Sequence, residues 1–80
     1  MEWNVVRYVY DHEELVLEEK FEFNGTPEEF FEKYRFGSPL FLQMNHEFCE
    51  SRKVSGDSFE MSFEDFFDET KSVYRASRRA

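Results

Sequence analysis

Apolar and polar residues alternate in two stretches near the beginning of the chain. From Trp3 to Tyr10 the sequence is rich in β-branched and aromatic residues, and from Leu15 to Phe23 most alternate positions are apolar. A period of two places alternate side chains on one face of a strand. The polar residues 11–14 separate the stretches, so the pattern predicts a β-hairpin whose loop lacks the glycine typical of tight primed turns.

The segment after this hairpin carries the signals of a helix start. Thr26 is suited to the N-cap position, Pro27 to the first helical position, and Glu29 to closing a capping box. The helix is predicted to end near Phe36, because a glycine and a proline follow. Its apolar face would consist of Phe30, Phe31 and Tyr34.

The second half of the chain shows a similar arrangement. Alternating apolar residues from Leu40 to Phe48 predict a third strand, and Phe59 and Met61, after a turn at 55–57, predict a fourth. Residues 62–65 then have the Ser-x-x-Asp pattern of a helix N-cap, so a second helix is predicted. Its apolar stripe would consist of Phe63, Phe66, Phe67, Thr70, Val73 and Tyr74.

These elements predict an α+β fold, with an antiparallel four-stranded sheet and two helices on one face. The helix starts Thr26–Glu32 and Ser62–Asp68 are similar and lie 36 residues apart, which is compatible with a duplicated ββα unit. Capping preferences and acidic first turns also explain the similarity. We expect a single acidic domain over residues 1–75 and a frayed basic C-terminal tail over residues 76–80.

Composition indicates a folded protein in a reducing compartment. The chain has 80 residues, of which 16 are aromatic, and they supply the burial that a domain without disulfides needs. Cys49 is the single cysteine and has no intramolecular partner. No secretory leader pattern and no apolar run of membrane-spanning length is present. We therefore expect a cytoplasmic protein without membrane contact.

The charge is strongly negative and unevenly distributed. Residues 1–70 contain all 18 acidic residues and six of the ten basic ones, a net charge of −12, whereas residues 71–80 carry +4. An acidic body repels nucleic acid and attracts basic protein surfaces. We expect no direct nucleic-acid binding by the body, and the partner is predicted to be a basic protein.

Residues that could support catalysis, metal binding or cofactor binding are few. Asp11, His12 and Glu13 resemble an acid–base or metal cluster, but polar residues in a hairpin loop require no function. His46 and Cys49 have the spacing of half a zinc site, without a second pair of ligands. Each glycine lies at an element boundary, so no phosphate-binding loop is predicted. We expect no enzyme activity, no metal and no cofactor.

The acidic residues of the two predicted helices form the candidate binding site. Carboxylates held at fixed spacing on rigid elements can stand in for the phosphates of duplex DNA, which carries one charge per about 1.7 Å of axis. Exposed aromatic residues such as Tyr8, Tyr10 or Phe36 would then fill apolar clefts of the target. The predicted DNA-mimicking acids are Glu28, Glu29, Glu32, Glu64, Asp65, Asp68 and Glu69.

In size, acidity, aromatic content and acidic helix starts (Thr26–Glu32 and Ser62–Asp68), the chain resembles small bacteriophage host-takeover proteins that mimic DNA. These include phage inhibitors of uracil-DNA glycosylase and of the nucleoid-associated HU protein. The resemblance implies a monomer or homodimer that inhibits a basic DNA-binding host protein by occupying its DNA-binding surface, in the host cytoplasm. It transfers no individual binding residue.

A second hypothesis remains open. The chain could be an interaction module or adaptor that docks on a partner through an apolar or sheet-edge surface, unrelated to DNA mimicry. Ionic strength distinguishes the two, since binding by mimicry weakens steeply with salt and apolar or edge docking does not. The basic tail is compatible with a helix end or with contact to the acidic body of a second copy.

Overall fold

A computed structural model describes residues 1–34, 48–65 and 69–79 of the chain. The elements, in chain order, are β1 (Glu2–Asp11), β2 (Glu14–Asn24), α1 (Pro27–Tyr34), β3 (Phe48–Ser55), β4 (Ser58–Asp65) and β5 (Thr70–Arg78). The strands form one antiparallel sheet in the order β2-β1-β5-β4-β3. The C-terminal strand β5 therefore lies at the centre, between β1 and β4.

The β1–β2 hairpin is confirmed, and its loop is a two-residue turn made without glycine. His12 and Glu13 both have positive φ, 51° and 67°, which is the backbone that a type I′ turn requires. In the β3–β4 hairpin only the first turn residue, Gly56, has positive φ, at 48°. The sequence predicted the place of the first turn, and the structure shows that two residues with side chains adopt it.

The helix α1 is confirmed together with its cap. The Glu29 backbone N–H donates to Thr26 Oγ1 at 3.1 Å, which is the N-cap bond of the predicted capping box. The Glu29 carboxylate closes the box through the Thr26 hydroxyl, which donates to it at 3.3 Å. The buried residues of this helix are Pro27, Phe30 and Phe31. The predicted end near Phe36 lies outside the described residues.

The core lies between α1 and one face of the sheet, which we call the helix-covered face. Phe30 is fully buried, and its ring packs against five other aromatic rings at centroid distances of 4.4–6.5 Å. Edge-to-face and tilted ring pairs add to the burial energy of such a cluster. The sheet contributes Trp3, Val5, Phe21, Phe23, Phe59, Met61, Phe63, Tyr74 and Ala76.

The predicted fold class is wrong in its second half. Residues 62–65 continue β4, and residues 70–78 form β5, so the sheet has five strands and the described part of the chain has one helix. The apolar period of two, begun by Phe59 and Met61, continues to the buried Phe63. Pairing of β4 with β5 satisfies this period, and the acidic cap pattern at Ser62 does not start a helix. The duplicated ββα unit is therefore also wrong.

Two further expectations concern the ends of the predicted elements. The predicted strand from Leu40 to Phe48 lies outside the described residues except for Phe48, where β3 begins. Residues 76–78, expected to fray, belong to β5, and Ala76 is buried in the core between Val5 and Phe59. The backbone N–H groups of Arg78 and Arg79 donate to carbonyls of other segments at 2.8 and 3.0 Å.

Candidate functional site

Three of the seven predicted mimic acids lie together on the outer side of α1. Glu28, Glu29 and Glu32 are exposed, while Phe30 and Phe31 of the same helix point into the core. The burial of these two rings fixes the orientation of the helix, so the three carboxylates are carried by a rigid element. This part of the predicted site forms one surface.

The other four predicted acids do not join that surface. Glu64 alternates with the buried Phe63 in β4, so it points to the opposite face of the sheet, which we call the open face. Asp65 ends β4, Glu69 lies in the β4–β5 connection, and Asp68 is outside the described residues. Because the second predicted helix is two strands, the spacing expected for these acids is lost.

Glu69 instead belongs to a small ionic cluster with the β1–β2 turn. The ring of His12 contacts Asp11 Oδ1 through Nδ1 at 2.7 Å and Glu69 Oε2 through Nε2 at 2.9 Å. The backbone N–H of His12 also donates to the Glu69 carbonyl at 2.9 Å. The hydrogen bond to Asp11 and the charges of Glu69 and Asp11 raise the pKa of His12 above its ordinary value of 6.5.

This cluster is exposed, and its geometry is that of an ion pair between two loops. Among the described residues, no group of three or more His, Cys, Asp or Glu side chains is placed to hold a metal ion. The raised pKa favours the protonated ring between its two carboxylates, and a protonated imidazole serves neither as a general base nor as a metal ligand. The cluster therefore links the β1–β2 turn to the β4–β5 connection.

All five arginines that the structure describes contact carboxylates of the same molecule. Arg75 pairs with Glu60 across β5 and β4 at 3.3 Å, and Arg79 lies 3.3 Å from Glu22 and 3.8 Å from Glu2. The basic tail is thus distributed along β5 and matched by acids of other segments. The other pairs are Arg7–Glu19, Arg52–Glu50 and Arg78–Asp57.

The edge strand β2 presents an apolar segment between acids. Leu15, Val16 and Leu17 have exposed fractions of 47%, 57% and 39%. Val16 is the extra residue of a β-bulge, because Leu15 pairs with Tyr10 of β1 and Leu17 pairs with Val9. The alternation in the sequence predicted a strand over these residues. Only the strand order shows that they lie at an edge of the sheet.

The open face carries a shallow groove of about 660 Å³ near the β1–β2 turn. Its walls combine Tyr10, the buried Val73, cationic Lys71 and Arg75, and anionic Glu64. Tyr8, also on this face, lies under the Arg75 guanidinium at 5.8 Å from its ring centroid. Tyr8 and Tyr10, which were predicted to fill clefts of a target, therefore lie on the face opposite the α1 acids. Phe36 is outside the described residues.

The described residues define a two-layer protein, a five-stranded antiparallel sheet with one helix packed on one face. No protein-family model, curated protein or solved structure matches this chain. In the described part of the chain, no helix combines the length and apolar character needed to cross a membrane.

Proposed function

We propose that this protein is a non-enzymatic inhibitor that binds a basic, nucleic-acid-binding protein in the cytoplasm and occupies its nucleic-acid site. The observation that supports this proposal most directly is the outward array of Glu28, Glu29 and Glu32 on the anchored helix α1. The sequence predicted binding acids on two helices, and the proposal keeps only those on α1. The sheet then serves as the platform that holds the helix.

The charge density of this array is close to that of duplex DNA. Glu28 and Glu32 are one helical turn apart, about 6 Å along the axis, so three carboxylates fall within that length. Over the same length a DNA duplex carries about three to four phosphate charges. A basic surface shaped for phosphates therefore meets a similar number of negative charges on α1.

The placement of the basic residues supports the same proposal. Lys33 is the one cation within α1, and its ammonium lies 6.0 Å from the ring centroid of Phe23 and 5.5 Å from that of Tyr34. Arginines on the strands are paired with acids of the protein itself, as described above. The field that a partner meets over α1 is therefore negative, and it accelerates encounter with a basic surface.

Affinity capture from a bacterial lysate, at low and at high salt, tests the proposal. We expect the parent protein to retain a DNA-binding protein that is eluted by salt and by duplex DNA. The variant E28Q/E29Q/E32Q keeps the shapes of the side chains and the capping box. It should retain that partner at least about tenfold more weakly, because the interaction is electrostatic.

A control with the same change in net charge separates position from total charge. D57N/E60Q/E64Q removes three acids from β4 and its turn, away from the outer side of α1. We expect this variant to retain the partner as the parent does. Equal capture by the α1 variant and the parent would refute the proposal, as would a salt-resistant partner that does not bind nucleic acid.

A further inference from the structure

Within the described sheet, β2 is a long edge strand with an exposed apolar segment at residues 15–17. It has 11 residues and no proline, and its backbone faces β1 on one side only. Natural proteins blunt edge strands with short length, proline, charged side chains or bulges, because an open row of N–H and C=O groups pairs with other strands. In β2 the charged residues Glu14 and Glu18 lie on either side of residues 15–17, and a bulge lies at Val16. Charged side chains disfavour pairing with strands of like charge and favour pairing with strands of opposite charge.

The opposite edge, β3, gives a comparison within the same molecule. β3 has eight residues and carries Arg52 and Lys53. Arg52 also packs over the ring of Phe31 at 5.3 Å and pairs with Glu50. Among residues 50–55 of this strand, one large apolar residue, Val54, is exposed, at 55%. β2 instead exposes three consecutive apolar residues, so it is the edge that offers an apolar docking line.

The charges along β2 indicate the chemistry of its partner. The strand contains four glutamates and one lysine, a net charge of −3. Glu14 and Glu18 flank the exposed segment 15–17 directly on either side. Like charges facing each other across paired strands are destabilising, so pairing with β2 of a second copy is disfavoured. A basic extended segment is complementary to this edge.

We propose that an extended segment of the partner adds to β2 as a sixth strand, with apolar residues opposite 15–17 and a lysine or arginine opposite Glu14 and Glu18. Main-chain hydrogen bonds along the open edge supply affinity, and the pattern basic–apolar–basic supplies selectivity. This inference rests on the proposed function for the basic character of the partner. It adds a docking element distinct from the acids of α1.

A labelled synthetic peptide, Thr-Lys-Val-Val-Val-Lys-Thr, tests this inference by fluorescence anisotropy at low salt. The parent protein should bind it, and should not bind the peptide in which glutamate replaces lysine. The same lysine peptide with every backbone amide N-methylated keeps its charges but has no donors for a ladder, so its binding should be lost. Equal binding of the methylated peptide would overturn strand addition and leave attraction by charge alone.

Two matched variants locate the docking line. Val16→Lys and Val54→Lys change similarly exposed valines on opposite edges, at 57% and 55%, and add the same charge. We expect Val16→Lys to weaken peptide binding by at least about tenfold and Val54→Lys by less than about twofold. Far-UV circular dichroism of each variant checks that the sheet remains folded. Similar weakening by both variants would overturn the assignment to β2.

Other results of these experiments would distinguish a failure of strand addition from a failure of the proposed function. If the parent protein does not bind the lysine peptide, strand addition is overturned, whereas the capture experiment with the α1 variants is unaffected. If sedimentation shows a dimer of the parent that Val16→Lys abolishes, a second copy occupies the edge and the partner strand is overturned. Binding with the expected variant pattern supports the inference even if the α1 acids prove dispensable.

Discussion

His12 and Glu13 show how single residues compensate for an unfavourable backbone. Both adopt the left-handed region, which costs about 1–2 kcal/mol per residue outside glycine. The His12 ring and backbone bind Asp11 and Glu69, so contacts to the β4–β5 connection hold the turn in this conformation. A position where glycine would be the ordinary choice is instead occupied by a titratable side chain that links two loops.

This link should make stability depend on pH. The folded pKa of His12 is raised, so its contribution is fully present below the unfolded value of about 6.5 and is lost as pH rises through the folded pKa. Glu69→Gln should lower the His12 pKa measured by NMR titration and flatten the decline in unfolding free energy as the pH rises above about 6.5. An unchanged His12 pKa in this variant would contradict the ion pair.

The stability of the helix α1 depends on its surroundings. It has eight residues, well below the roughly 12–15 that an isolated helix needs for marginal stability. Its existence therefore follows from the capping box at Thr26 and from the burial of Phe30 and Phe31 against the sheet. Because α1 also carries the proposed binding acids, its stability and the function are coupled.

The cap can be tested by a pair of substitutions. Thr26→Ala removes the oxygen that accepts from the Glu29 N–H, and should lower the unfolding free energy by about 1 kcal/mol in urea denaturation. Thr26→Ser retains that oxygen, so its loss should be much smaller. Equal destabilisation by both variants would show that the methyl group of Thr26, and not the cap, matters.

For the whole molecule, the sheet order makes folding dependent on the C-terminal strand. β5 pairs with β1, from the other end of the chain, and with β4, so it connects the two halves of the sheet. Contacts between distant segments are slow to form because loop closure must precede them. Residues 76–78, which were expected to fray, therefore form the end of the central strand.

Truncation of the chain tests the role of β5 in the fold. Deletion of residues 76–80 removes the buried Ala76 and the end of the central strand, and should cost several kcal/mol, comparable with the about 5 kcal/mol total stability of a marginal domain. The deletion variant should be largely unfolded by circular dichroism. Deletion of residues 79–80 alone removes exposed ion pairs and should remain folded. An intact fold without residues 76–80 would contradict the central role of β5.

The parts of the fold that the sequence predicted are those specified by neighbours along the chain. The alternation in β1 and β2 and the capping box at Thr26 depend on contacts within a few residues, so pattern and propensity were sufficient. The acids of α1 were correctly placed on a helix for the same reason. The exposed edge of β2 was visible as a strand but not as an edge.

The negative charge, the first hairpin and the capped helix could be predicted from the sequence, because each follows from composition or local pattern. The tertiary structure decided the fate of residues 62–78, where the cap signal at Ser62 and the period of two through Phe63 conflicted. Pairing with β1 and β4 buried Tyr74 and Ala76, and that long-range burial outweighed a local helix preference. The same pairing separated the predicted acids and left β2 at the edge of the sheet.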